Sequence, residues 1–258
     1  MALIYKPKGA AGEYARYAVN FYNGCSNGCT YCFNKRGLAM KLLGNGIPIP
    51  KKGYESWSSM FESFKVEVLK MKNELREHGI FMSFTTDPLI SGTSLATLTA
   101  TNFLSKNLIH TFILTKGSLA PSFLNAVKVW DIKQREYIHF GVTLTGCDDM
   151  EPNALPNLGR IGLLREATEL GMSSFVSLEP IIDLKKSLNM VNLAKYWTDE
   201  IRIGLLTPVR YANYTLSDVM DFIWQMQWFQ KKYKFRIMWK ESFRKLCREY
   251  NIEYMLKF

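Results

Sequence analysis

The stretch Phe21-Tyr22-Asn23-Gly24-Cys25-Ser26-Asn27-Gly28-Cys29-Thr30-Tyr31-Cys32-Phe33-Asn34 holds three of the chain's five cysteines, spaced C-x3-C-x2-C. Thiols gathered this closely read as soft metal ligands rather than core packing. Ala18, Val19, Phe21 and Tyr22 lead into the loop as a short apolar run. Gly24 and Gly28 allow the tight turns that wrapping a metal group requires. No fourth ligand stands nearby, because His78, His110 and His139 are all distant in sequence. Three thiolates suit a four-iron cluster with one iron open. A structural zinc site wants four ligands, and that reading needs a distant fourth.

The rest of the composition is that of a globular protein. The chain has 258 residues, 47% of them hydrophobic and 14% aromatic, enough for one domain with a sizeable core. No apolar run approaches a membrane span, and the first twelve residues carry Lys6 and Lys8 without a signal-peptide stretch. Cys147 and Cys247 are too few for a disulfide framework, so a reducing cytoplasm and a monomer are expected. The net charge of +10 is uneven, with nine Lys or Arg against three acids from Lys231 to Phe258. Aromatics interleave there, among them Tyr233, Phe235, Trp239, Phe243, Tyr250 and Tyr254. They read as a nucleic-acid surface, or as a terminal strand and helix with core rings and solvated lysines.

Hydrophobic periodicity orders the chain. Thr30 to Leu43 reads as helix or extended loop, closed by Gly44-Asn45-Gly46. Glu55 to His78 is the clearest helix, with Met60, Phe61, Phe64, Val68, Met71 and Leu75 on one face and Gly79 ending it. Strands are expected at Ile80–Thr86, Ile109–Thr115, Tyr137–Thr145, Met172–Leu178 and Glu200–Leu206, and a further one at Lys234–Trp239. Helices are expected between them, with a last one at Glu241–Glu249. Such alternation implies a parallel sheet with helical crossovers. About six units predict a partial (β/α)6 TIM-like barrel over residues 1–230, with a short basic C-terminal strand and helix extension over 231–258. Active-site residues of such barrels lie at the C-terminal ends of the strands.

Those ends are chemically pointed. Thr86 and Asp87 can bind a ligand amine or cap a turn. Lys116 can pair with a carboxylate or face solvent. Thr143 and Thr145 share a face by alternation, suited to hydroxyl contacts. Cys147 reads two ways, as a hydrogen-atom donor or as a small loop residue. Arg160, just before a helix, can clamp a carboxylate or form a surface ion pair. Glu179 follows the apolar run Phe175, Val176, Leu178, and Pro180 is expected to stop the ladder.

Taken together, Gly-Cys-x-x-Gly-Cys-x-Tyr-Cys, Thr-Thr-Asp-Pro, Thr-Lys, Val-Thr-Leu-Thr, Arg160 with Gly171, and Glu-Pro-Ile-Ile (Glu179 to Ile182) span two thirds of the chain. This set resembles the radical SAM superfamily, and within it the spore-photolyase-like branch. The resemblance implies a partial β/α barrel with a [4Fe–4S] cluster on Cys25, Cys29 and Cys32. It implies that S-adenosylmethionine (SAM) binds the open iron by its amino and carboxylate groups, and that one electron cleaves it to a 5′-deoxyadenosyl radical. Tyr31 would pack on the adenine, while Thr86, Asp87, Lys116, Thr143 and Arg160 would help bind SAM. Glu179 would face ribose or substrate. A reductant such as flavodoxin or ferredoxin is implied as partner, and nucleic acid as a substrate class, with peptide or small molecule as alternatives. One departure stands out: the branch's hydrogen-donor cysteine lies beside the second-strand motif, where this chain has Phe84. The competing class is a non-catalytic zinc or iron–sulfur nucleic-acid-binding protein.

Overall fold

The computed structural model describes residues 2–35, 37–43, 46–54, 56–206 and 214–257. The expected turn at Gly44-Asn45 and helix start at Glu55 lie outside them. In chain order the elements are β1 (Ile4–Tyr5), β2 (Ala18–Val19), β3 (Tyr22–Asn23), α1 (Gly37–Leu43), β4 (Ile49–Pro50), α2 (Trp57–Lys70), α3 (Lys72–His78) and β5 (Ile80–Met82). There follow α4 (Ser94–Lys106), β6 (Thr111–Thr115), α5 (Ala120–Lys128), α6 (Ile132–Arg135), β7 (Ile138–Thr143), α7 (Asn157–Glu169) and β8 (Ser173–Ile181). The chain closes with α8 (Leu184–Ala194), β9 (Glu200–Leu205), α9 (Leu216–Tyr233), β10 (Arg236–Trp239) and α10 (Glu241–Glu249).

Eight strands form one sheet in the order β1-β2-β5-β6-β7-β8-β9-β10. The β1–β2 pair is antiparallel and every later pair is parallel. This is a mixed α/β protein with a mostly parallel sheet. The basic C-terminal residues contribute directly to it, because β10 pairs with β9 with Ile237 opposite Ile201. The segment divides: Phe235, Trp239 and Phe243 are core, Tyr254 is exposed, and Lys240 is buried whereas Lys231, Lys232 and Lys234 are solvated.

Alternation along the strands separates two apolar layers. In β6, Thr111, Ile113 and Thr115 are fully buried toward the helices, while Phe112 and Leu114 point to the other side. There they join Ala18, Phe81, Phe175 and Tyr14 in a small inner cluster. The larger layer packs sheet against helices, and α2 shows how sequence specifies it. Met60, Phe64 and Val68, one turn apart, are its buried face. Ser56 caps it, its side chain taking the Ser59 N–H at 3.2 Å. The single helix expected to run to His78 is interrupted at Met71, whose backbone (φ −105°, ψ 16°) leaves helical geometry. Two strand ends also differ from expectation. β5 stops at Met82 because Ser83 takes φ 68°. Pro180 does not end β8, which runs on to Ile181 through a register shift between Leu178 and Ile181.

At the opposite, N-terminal end of the strands His110 and His139 meet, His139 Nε2 to His110 Nδ1 at 2.9 Å, with Phe112 stacked on His139. Burial, then the neighbouring His110, Arg202 and Arg236, pushes His139 down to about 4. An unfolded chain, with an ordinary value near 6.5, binds the proton first as pH falls. The contribution is therefore complete above about pH 6.5 and is lost as pH drops toward 4. We expect urea melts to show His139→Phe losing about 2 kcal/mol less stability than wild type between pH 7 and pH 4.5. Parallel pH curves for the two proteins would contradict the assignment.

Candidate active site

The cysteine loop follows β3 and is tied to strand ends on both sides. Gly24 N donates to Thr85 O (3.1 Å), Thr30 N to Met150 O (3.0 Å) and Asn153 N to Asn27 O (3.2 Å). Gly28 has φ 73°, and a Cβ there would stand 3.2 Å from both Pro152 and Asn153, so the turn needs its glycine on two counts. Cys25, Cys29 and Cys32 are free thiols that line one cavity of about 480 Å³. That cavity opens at the C-terminal ends of the strands, and Thr86, Asp87, Lys116, Thr143 and Glu179 line it too. Burial, with the Asp87 carboxylate adding to it, pushes the Cys25 thiol up to about 11, and burial raises Cys29 as well.

Among the described residues no three His, Cys, Asp or Glu side chains converge tightly enough for one ion. Three sulfurs on a single zinc would stand about 3.8 Å apart, from a Zn–S bond near 2.3 Å in a tetrahedron. A four-iron cluster takes each thiolate on a different iron and so suits a wider set. Three free thiols lining one cavity fit the cluster better than the ion.

Several strand-end residues do structural work that sequence reasoning assigned to a ligand. Asp87 accepts four bonds, from Thr115 Oγ1 (2.6 Å), Lys116 N (2.7 Å), Leu89 N and Asn27 Nδ2 (2.9 Å each). Its carboxylate fastens the cysteine loop to the ends of β5 and β6 and has little left for an amine. Arg160 is 1% exposed and does not line the cavity. Its Nη1 donates to Thr143 O at 2.7 Å, its Nε to Leu155 O at 2.5 Å, and its Nη2 is paired with Glu151. Cys147 is buried outside the cavity lining, its N–H bonded to Thr145 Oγ1 at 3.2 Å, which is the place of a small loop residue.

Tyr31 and Lys116 do come together at the cavity. Lys116 Nζ donates to the Tyr31 hydroxyl at 3.0 Å, and that hydroxyl donates to the buried Glu151. Burial, then Glu151, raises Tyr31 well above the ordinary tyrosine range. Thr86 and Thr143 sit in the wall at 9% and 5% exposure.

At the other end, Glu179 Oε2 accepts from Tyr14 OH (2.6 Å) and Lys240 Nζ (2.5 Å). Lys240 also reaches Ala10 O at 3.0 Å and lies 3.9 Å from the Tyr14 ring centre. Burial lowers its pKa against the pull of Glu179. Phe84 stacks on Phe81 at 4.4 Å and both line the cavity. Sequence reasoning missed Glu151, Asn27, Asn34, Tyr14 and Lys240. Lys240 follows Trp239 at the end of β10, so the strand-end rule would have found it. Glu151 gave no signal, since Asp148-Asp149-Met150-Glu151 reads as a solvated acidic turn.

No family model and no curated protein matches the chain. Its fold is nevertheless that of a defined class, the partial barrel of radical SAM proteins. Spore photoproduct lyase complexed with dinucleoside spore photoproduct superposes with TM-score 0.66 at 12% identity, covering 91% of this chain and 80% of that one. A variant of that lyase with bound AdoMet and the dinucleoside gives 0.62, covering 87% and 76%. Streptococcus suis SuiB bound to precursor peptide SuiA gives 0.57 at 12% identity, covering 93% of this chain and 53% of SuiB, so this chain spans about half of SuiB.

Proposed function

We propose that this protein is a radical SAM enzyme. The observation that carries the reading is the cavity itself, with three free thiols at one end and strand-end polar groups along its walls, on that fold. Cys25, Cys29 and Cys32 would hold a [4Fe–4S] cluster, which supplies the electron that cleaves SAM to a 5′-deoxyadenosyl radical. Thr86 and Thr143 offer hydroxyls to the SAM nucleoside, Tyr31 an aromatic wall, and Lys116 a cation for its carboxylate. Phe84 and Phe81 would give the cavity an apolar wall beside which a carbon radical could be sheltered, and the Lys240–Glu179–Tyr14 cluster a charged one. Residues 1–230 would form the barrel unit, with 231–258 completing its last strand. A cytoplasmic monomer served by flavodoxin or ferredoxin fits this chemistry. Among the described residues no helix is long and apolar enough to cross a membrane.

Anaerobic reconstitution tests the proposal. Uptake of about four irons per chain, with dithionite-dependent release of 5′-deoxyadenosine from SAM, is the expected result. One tightly held zinc and no SAM cleavage would leave the non-catalytic reading standing.

For the substrate, nucleic acid is our first reading, on the net charge of +10 and the resemblance to the lyase. Exposed Trp224 and Trp228, with Lys232 Nζ 4.7 Å from the Trp228 ring centre, offer rings beside cations. The peptide seated on SuiB supports a peptide as the second reading. Neutralising Lys231, Lys232 and Lys234 together should lower the slope of log affinity against log salt for single-stranded DNA by about two. An unchanged slope would remove that surface from consideration.

A further inference from the structure

Away from the cavity, aromatic side chains gather on α8 and α9. Trp224 and Trp228, four positions apart on one face of α9, are 55% and 54% exposed, and Tyr196, just after α8, is 64% exposed. The two tryptophans and Phe229 line an open cleft of about 420 Å³. The Tyr233 ring centre lies 6.3 Å from that of Trp228 and 5.0 Å from that of Tyr196. Cations are set among these rings. Lys195 Nζ lies 5.2 Å from the Tyr196 centre and 5.0 Å from that of Tyr233, and Lys232 Nζ lies 4.7 Å from that of Trp228. No acid occurs in the sequence from Phe222 to Lys240. The Asp199 carboxylate, three positions after Tyr196, accepts the Ser174 N–H at 2.8 Å.

This cluster stands toward the end of the strands opposite the thiols. The N-terminal end of α9 is beside the cavity, where Tyr214 OH donates to Ile182 O at 3.1 Å, just past the end of β8. Its C-terminal end is beside the start of β9, because Arg236 N donates to Asp199 O at 2.9 Å. At about 1.5 Å per residue, Trp228 and Tyr233 lie about 18 and 26 Å along the helix from Leu216. Exposed ring planes with ammonium groups beside them match a ligand that repeats a flat group and an anion. Single-stranded nucleic acid is such a ligand, with bases that stack on rings and phosphates that pair with lysines. A second copy of the chain would set Lys195 and Lys232 against their own equivalents, and like charges oppose that pairing.

We propose that the α8–α9 face is an anchoring site for single-stranded nucleic acid, separate from the cavity, where bases stack on Trp224, Trp228 and Tyr196 beside Lys195 and Lys232. This rests on the nucleic-acid reading of the substrate above and adds a length requirement to it. At about 3.4 Å per stacked nucleotide, a strand held at these rings reaches the cavity end of α9 only after about five to eight nucleotides. A dinucleoside, the ligand complexed with spore photoproduct lyase, is too short to occupy both places.

The test is fluorescence anisotropy of labelled oligo(dT) and oligo(U), each about 20 nucleotides long, titrated with reconstituted wild type and with the double variant Trp224→Ala/Trp228→Ala. Both rings are exposed, so the double variant should melt close to wild type and take up the same iron. Its affinity for single strands should fall about tenfold or more, as expected for the loss of two stacking platforms. The slope of log affinity against log salt should not change, because no cation is removed. Saturating SAM should leave the affinity unchanged, and a blunt duplex of the same length, its base faces covered, should bind both proteins alike. A preference for either strand supports the proposal and says which sugar the site favours. Strands that bind wild type and double variant alike overturn the anchoring site and leave the nucleic-acid reading standing, whereas strands that bind neither overturn both. A loss that the duplex shares, or binding that SAM displaces, overturns the proposal as well. So does ring-dependent self-association in sedimentation, or ring-dependent binding to phosphatidylserine vesicles with no binding to strands. A wild-type protein that takes up no iron or cleaves no SAM overturns the enzyme reading instead, which is a separate result.

Discussion

Replacing Cys29 with alanine should reduce iron uptake from about four per chain to near background and abolish 5′-deoxyadenosine formation. Cys29 is 5% exposed and lines the cavity beside Cys25 and Cys32. An alanine fits where a cysteine did, so the unloaded chain should fold with little change in stability, about 1 kcal/mol or less. Loss of iron without loss of fold separates a ligand from a packing residue. Cys247 is the matched control, because it is fully buried on α10 and lies outside the cavity. Cys247→Ala should keep both iron and turnover. Turnover retained in Cys29→Ala would contradict the assignment of the three cysteines.

Arg160→Leu should act on the fold rather than on the ligand. The substitution leaves the Glu151 carboxylate, whose side chain is 0% exposed, without its guanidinium partner. It also strips the donors from Leu155 O and Thr143 O. Removing one member of a buried pair typically costs about 3–5 kcal/mol, which lowers the melting temperature by on the order of 10 °C in a chain of this size. The measurement is thermal or urea unfolding of the iron-free protein. A SAM-binding arginine predicts the reverse pattern, with unchanged melting and weakened SAM affinity. Glu151→Gln should destabilise as well, and in addition loosen Tyr31, whose hydroxyl donates to Glu151.

The contrast between these two predictions shows what was legible in the sequence. The cysteine loop is local: its spacing, its glycines and its aromatic are all written within fourteen residues. Helix and strand order was legible for a similar reason, since Met60, Phe64 and Val68 announce a buried helical face by spacing alone. The roles of Asp87 and Arg160 were not. Their residue types suit a ligand, but their partners come from distant segments: Asn27 lies sixty positions from Asp87, and Glu151 sits in an acidic turn. Whether a charge is spent or free is decided by tertiary contacts that no periodicity encodes. Asn27 and Asn34 were hidden by the converse effect. They read as ordinary loop residues until burial removed water from one end of each amide.

The contact of Lys240 with Ala10 joins residues 230 positions apart. Next to it, Glu241 N donates to Glu13 Oε2 at 2.7 Å, and Tyr14 meets Glu179 across 165 positions. During synthesis on a ribosome, the first fourteen residues emerge long before Lys240 is made. The cavity's far wall therefore waits for nearly the whole chain, and contacts of such separation form slowly. The last side of the cavity is thus added when β10 docks.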